Sequence, residues 1–203
     1  MNLSRFKQII HLIISLINLG CILTSKTFEY KYENPIYSEK TNKNITISVN
    51  YSESYKSFSR NKITFQGIFK DGFGIERGYI FINPQAEEIV KNLFITELKN
   101  SGFTITNLPS NDNPEIEIQV NQMFIEPEVG FFVIDAIAVI DINIFVHFKN
   151  KSFNRRFKAI GEATILLQPD YFYQLALDRS MKNLALKTIP EVISLIQDEQ
   201  KDF

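Results

Sequence analysis

The chain has 203 residues, 22 Lys and Arg against 23 Asp and Glu, a net charge of −1 and a single cysteine. That balance excludes the basic excess a nucleic-acid-binding surface requires. One thiol excludes an internal disulfide, and with two histidines it excludes a Cys/His metal cluster. An apolar content of 44%, with 18 Phe and no Trp, suits one domain whose stability rests on a core of Phe, Ile, Leu and Val.

Residues 1–20 have the form of an export signal. Arg5 and Lys7 precede the apolar run "IIHLIISLINL", and Gly20 is small. The run is shorter than the roughly 20 residues a membrane span needs. Cys21 follows directly, and a small residue before a cysteine behind such a run resembles a bacterial lipobox, although Asn18 stands where leucine is usual. Cys21 is therefore the expected lipidation site, anchoring a mature chain to a membrane. Loss of Arg5 and Lys7 with the leader takes the net charge from −1 to −3. Residues 21–43 read as a polar tether, with "FEYKY" open to a second reading as an edge strand, and 44–203 as the domain.

"NITISVNY" alternates as a first strand, and "SESYKSFSRN" reads as a polar loop. "ITFQGIFK" and "FGIERGYIFIN" flank Asp71-Gly72, a hairpin signal. Asn83-Pro84 is expected to cap and open an amphipathic helix that buries Ala86, Ile89, Val90, Leu93, Phe94 and Leu98 and turns Glu97 elsewhere; Gly102 ends it. "PEIEIQVNQMF" alternates with Ile116, Ile118, Val120 and Phe124 on one face. In "FFVIDAIAVIDINIFVHF", Asp135, Asp141, Asn143 and His147 occupy odd positions, and Ile140, Ile142 and Ile144 even ones, the mark of a long strand. "FNRRFKAIGEATILL" returns as its hairpin partner. A final helical stretch contains Pro190, which either kinks it or starts a second helix. This order predicts an α+β two-layer sandwich, a mainly antiparallel sheet with two main helices packed on one face.

No phosphate-binding loop is present, and once the leader is removed only His147 is left for acid–base work. Asp135 and Asp141, six residues apart on one strand face, are separated by about 20 Å, too far for a glycosidase pair. Glu126 and Glu128 flank Pro127 as solvated loop acids. No catalytic residue, metal site or cofactor is expected. Lys149, Lys151, Arg155, Arg156 and Lys158 gather around one hairpin and are the candidate partner-binding cluster, suited to an anionic glycan or lipid or to an acidic envelope protein.

Taken together, Cys21, "NITISVNY", "KDGFGIERGYIFIN", "LKNSGF", "PEIEIQVNQMF", the meander around Asp141 and the late helix make the chain resemble the YajG family of bacterial lipoproteins over most of 44–196. The resemblance implies a compact α/β domain held at the cell envelope, at the outer membrane, by lipid on Cys21, with no established activity. The expectation is a non-enzymatic binding or scaffolding factor. The alternatives are an envelope hydrolase working through carboxylates and a secreted binding protein without lipid.

Overall fold

The computed structural model describes residues 25–37, 46–52, 58–60, 63–70, 75–106, 113–129, 134–148, 151–165 and 171–201. The leader, Cys21, Asp71-Gly72 and Lys149 lie outside the described residues. In chain order the elements are β1 (Lys26–Glu29), β2 (Thr46–Ser52), β3 (Phe58–Arg60), β4 (Ile63–Phe65), β5 (Gly67–Lys70), β6 (Glu76–Asn83), helix α1 (Ala86–Asn100), β7 (Thr104–Thr106), β8 (Glu115–Val129), β9 (Ile134–Phe148), β10 (Lys151–Ile165) and helix α2 (Tyr171–Lys201).

The frame is an antiparallel meander of the three 15-residue strands β8, β9 and β10. Two short arms share the other edge of β8. Near its start, β8 pairs in parallel with β2, which pairs in parallel with β7. Farther along, Gly67 of β5 meets Ile125, β5 turns antiparallel into β6, and β6 carries β1 in parallel. The α+β two-layer arrangement holds, with both helices on one face. The long ladders are antiparallel and the short flanks mostly parallel, so the eight-stranded sheet is mixed. Gln66 breaks "ITFQGIFK" into β4 and β5. Its side-chain Oε1 accepts from Ile82 N at 2.9 Å, and its backbone joins Ile80 and Ile125 at 2.8 Å each.

Alternation decides what the helices cover. Ile116, Ile118 and Val120 of β8 and Ile140, Ile142 and Ile144 of β9 are buried with Val90, Phe94 and Leu184, the core read from the sequence. A bulge between Val120 and Gln122 then shifts the phase of β8. Beyond it Met123 and Ile125 are buried, and Phe124, expected on the inner face, goes to the opposite one. Glu126 and Glu128 stand in this strand and not in a loop.

Helix α1 starts at Ala86, not at Pro84. Its N-cap Gln85 makes no side-chain cap bond, and Asn83 ends β6, donating from Nδ2 to the Glu29 carboxylate at 2.8 Å. The Asn83–Pro84 peptide is cis. Gly102 does end the helix, with φ 91°, a conformation that favours glycine. Helix α2 runs unbroken through Pro190. The carbonyl deprived of its usual donor belongs to Leu186, and both residues lie on the exposed side of the helix.

β10 pairs only with β9 among the described residues, and α2 covers residues 158–162 of its other edge. Arg179 Nη1 donates to Glu162 O at 2.6 Å, Asn183 Nδ2 to Ile160 O at 2.8 Å and Lys187 Nζ to Lys158 O at 2.9 Å. The spacings match: four helical residues advance about 6 Å and two strand residues about 6.6 Å. Gly161 permits this closeness, because a Cβ there would sit 2.1 Å from Ala176 O.

The tether reading fails over residues 26–37. The edge strand β1 takes in Lys26–Glu29, so only Phe28 and Glu29 of "FEYKY" are in a strand, and Tyr30 and Tyr32 behind it are buried. The folded body therefore begins well before residue 44, because these aromatics join the core.

Candidate functional site: the bare face of the sheet

The face of β8–β10 opposite the helices carries the polar halves of three alternating strands. Register sets its rows. At one end Glu115, His147 and Ser152 are aligned, then Glu117, Phe145 and Asn154. Gln119, Asn143 and Arg156 follow, then Gln122, Asp141 and Lys158. Phe124, Val139 and Ile160 form an apolar row, which is followed by Glu126, Ile137 and Glu162 and by Glu128, Asp135 and Thr164. Ile160 is 44% exposed, while Phe124, Val139 and Ile137 are half-buried.

A hydrogen-bond network fixes the middle of the face. Arg156 grips Asp141 through two bonds, Nε to Oδ1 at 2.9 Å and Nη2 to Oδ2 at 2.7 Å. Asn121 Nδ2 donates to Asp141 Oδ1 at 3.0 Å, and Asn143 Nδ2 to Gln119 Oε1 at 2.9 Å. Asp141 is only 5% exposed. Its carboxyl is held below the usual range, chiefly by the Arg156 hydrogen bond, against desolvation that acts the other way. Asp135 accepts from Thr164 Oγ1. His147 Nε2 lies 3.9 Å from Glu117 Oε2 at the far end of the face. Among the described residues no group of three or more His, Cys, Asp or Glu is placed to hold a metal ion.

Among the described residues, the basic cluster is split between two faces: Arg156 and Lys158 share the bare one, and Arg155 leaves it. Arg155 and Arg156 are neighbours in a strand, so their side chains leave opposite faces. Arg155 Nε reaches Glu191 of α2 at 3.0 Å on the helix side, while Arg156 is held by Asp141 on the bare side. Lys158 stands on the bare face seven residues from exposed Lys151, which marks the hairpin end.

A residue the sequence reading turned outward is among the most buried. Glu97 of α1 has 0% exposure. Its carboxylate accepts from Tyr32 Oη, from Ile36 N at 2.9 Å and from Tyr37 N at 3.0 Å, latching residues 32–37 onto the helix. Burial, then the hydrogen bond to Glu97, pushes the Tyr32 phenol far above its ordinary range, which keeps it a donor. Its position was the signal: Glu97 lies seven, four and three residues after Val90, Leu93 and Phe94, within the apolar stripe.

The uncharacterized lipoprotein family model matches residues 82–185, from the end of β6 to the middle of α2. The chain belongs to this family. The family is the YajG type that the sequence resembles. No curated protein sequence matches the chain. A Xanthomonas campestris protein of the DUF330 family has the same fold, with TM-score 0.55 at 12% identity over 87% of this chain and 99% of its own. More distant is a Helicobacter pylori protein described as a neuraminyllactose-binding hemagglutinin homologue, at TM-score 0.42 and 10% identity, covering 87% of this chain and all of its own. Among the described residues, no helix is long and apolar enough to cross a membrane.

Proposed function

We propose that the protein is a lipid-anchored lipoprotein of the bacterial envelope, held at the outer membrane through Cys21, and that it docks an envelope protein on the bare face of β8–β10 without turning over a substrate. The observation that carries this reading is the apolar row Phe124–Val139–Ile160, set between charged rows on a face pinned by the Asp141–Arg156 network. A preformed face with an apolar centre and polar rim suits a protein partner. Glu126, Glu128, Asp135 and Glu162 on one side of the row favour a partner with basic residues there. An anionic glycan or lipid is the weaker candidate, because the basic side chains are divided between two faces and Arg156 is engaged by Asp141.

The test is photo-crosslinking in intact cells. A photoreactive amino acid at position 160 is compared with one at position 186, on exposed Leu186 of α2. The expected result is a discrete crosslinked species from 160 alone. Equal products from both positions, or products only from 186, would remove the bare face as the docking surface.

A further inference from the structure

Ser25 lies four residues after Cys21 and is already fixed to the body. Its Oγ accepts from Tyr79 N at 3.1 Å, and the next residue, Lys26, stands opposite Ile80 in the parallel β1–β6 ladder. Four residues of chain reach at most about 14 Å. The two strands are parallel, so Ser25 opens β1 at the end of the ladder from which β6 runs back a further four residues, from Tyr79 to Ile75. That overhang is itself about 13 Å long. A lipid on Cys21 therefore begins within about 14 Å of Ser25, close to the length of that overhang.

The end itself suits a membrane surface. Ile75 is 51% exposed and borders an open hollow of about 610 Å³ shared with Ser25, Glu76, Arg77 and Tyr79. Among the described residues of this end, Lys26 and Arg77 stand beside Glu76. The Tyr79 ring is stacked on Phe65 at 4.6 Å, which stiffens the end. The opposite end of the sheet is far away. β5 is parallel to β8, and from Ile125, level with Gly67 and Ile80, β8 runs back ten residues to Glu115, beside His147 and Ser152. That distance is about 33 Å along the strand.

We propose that the β5–β6 end, presenting Ile75 and Arg77, is a membrane-contact surface seated at the lipid headgroups, and that the short link to Cys21 stands the sheet on this end with the β9–β10 hairpin pointing away from the bilayer. This rests on the acylation of Cys21 proposed above. It also directs Lys151 away from the lipid of the protein's own membrane.

The full acylated chain is reconstituted into phosphatidylethanolamine–phosphatidylglycerol vesicles carrying a headgroup-attached nitroxide quencher. A fluorophore is placed at Ile75→Cys or at Ser152→Cys; acylation leaves the new thiol as the single reactive one. Mass spectrometry of the N-terminal peptide is run on each sample. The expected result is acylated Cys21 with quenching at position 75 several-fold above that at 152, and a drop at 75 when a twelve-residue Gly-Ser segment is inserted between Cys21 and Ser25. Equal quenching at the two sites in acylated protein overturns the membrane-contact surface and leaves the lipid anchor standing. An unmodified Cys21 overturns both.

Discussion

The two faces of the β8–β10 meander are built from the same three strands and differ in nearly everything else. On the helix side Ile116, Ile118, Ile140, Ile142 and Ile144 are sealed under α1 and α2. On the bare side the alternate residues are polar except for Phe124, Ile137, Val139, Phe145 and Ile160, and those at its middle are tied to one another by hydrogen bonds. Each face also holds an embedded carboxylate. Glu97 is met by neutral donors within the helix layer, and Asp141 by a guanidinium at the boundary with water. One face makes the fold, and the other is stiffened by its own hydrogen bonds and, among the described residues, lies outside the helix layer.

Substitutions break this contrast to different extents. Ile142→Ala should act most strongly, lowering stability by about 2–5 kcal/mol in chemical denaturation, the range for a large-to-small core change. A loss within about 0.5 kcal/mol, the scale of surface changes, would contradict the assignment of the two faces. Glu97→Ala comes next. It strands a buried phenol and two amides at about 1–3 kcal/mol for each group left unsatisfied, and release of residues 32–37 relieves part of that. The expected readout is cleavage within 30–37 under limited proteolysis while the 115–165 meander stays protected. Uniform resistance would mean that the latch contributes nothing.

Asp141→Asn sharpens the comparison through pH. A carboxylate whose folded pKa is depressed contributes stability that is present above its unfolded pKa, about 4, and lost as the pH falls through the folded value. The wild type should therefore melt above the variant at pH 7, and the gap should close at strongly acidic pH. A gap independent of pH would assign the effect to shape and not to charge. The smallest effect on stability is expected for Ile160→Glu, within about 0.5 kcal/mol of wild type by denaturation. The same change should abolish the crosslinked species formed at neighbouring bare-face positions. Loss of stability without loss of the crosslink would reverse the roles given to the two faces.

Much of the helix-covered face was legible because period-two alternation in β9 and period-3.6 spacing in α1 and α2 are carried by single segments. Features that depend on a second segment were not. The bulge at Val120/Gln122 moved Phe124 across the sheet through pairing with β9. The parallel arms β1–β6 and β2–β8 join residues far apart in the chain, with no hairpin to announce them. Glu97 was turned outward because an acid is ordinarily solvated, whereas three donors from a distant segment hold it inside. Closeness in sequence also misled, since adjacent Arg155 and Arg156 read as one patch and the pleat placed them on opposite layers.

For copies anchored as proposed above, the ladder from Arg179, Asn183 and Lys187 onto β10 has a consequence. Proteins held on one membrane share a thin layer and meet repeatedly in the same upright orientation. A 15-residue outer strand with open acceptors would be a template there, each copy adding its strand to the last and growing a ribbon across the surface. On β10 the carbonyls of Lys158, Ile160 and Glu162 already have donors from the protein's own helix. Over residues 158–162 an incoming strand would have to displace these three side chains before it gained a hydrogen bond to those carbonyls. The protein's own helix therefore holds that stretch of the outer strand.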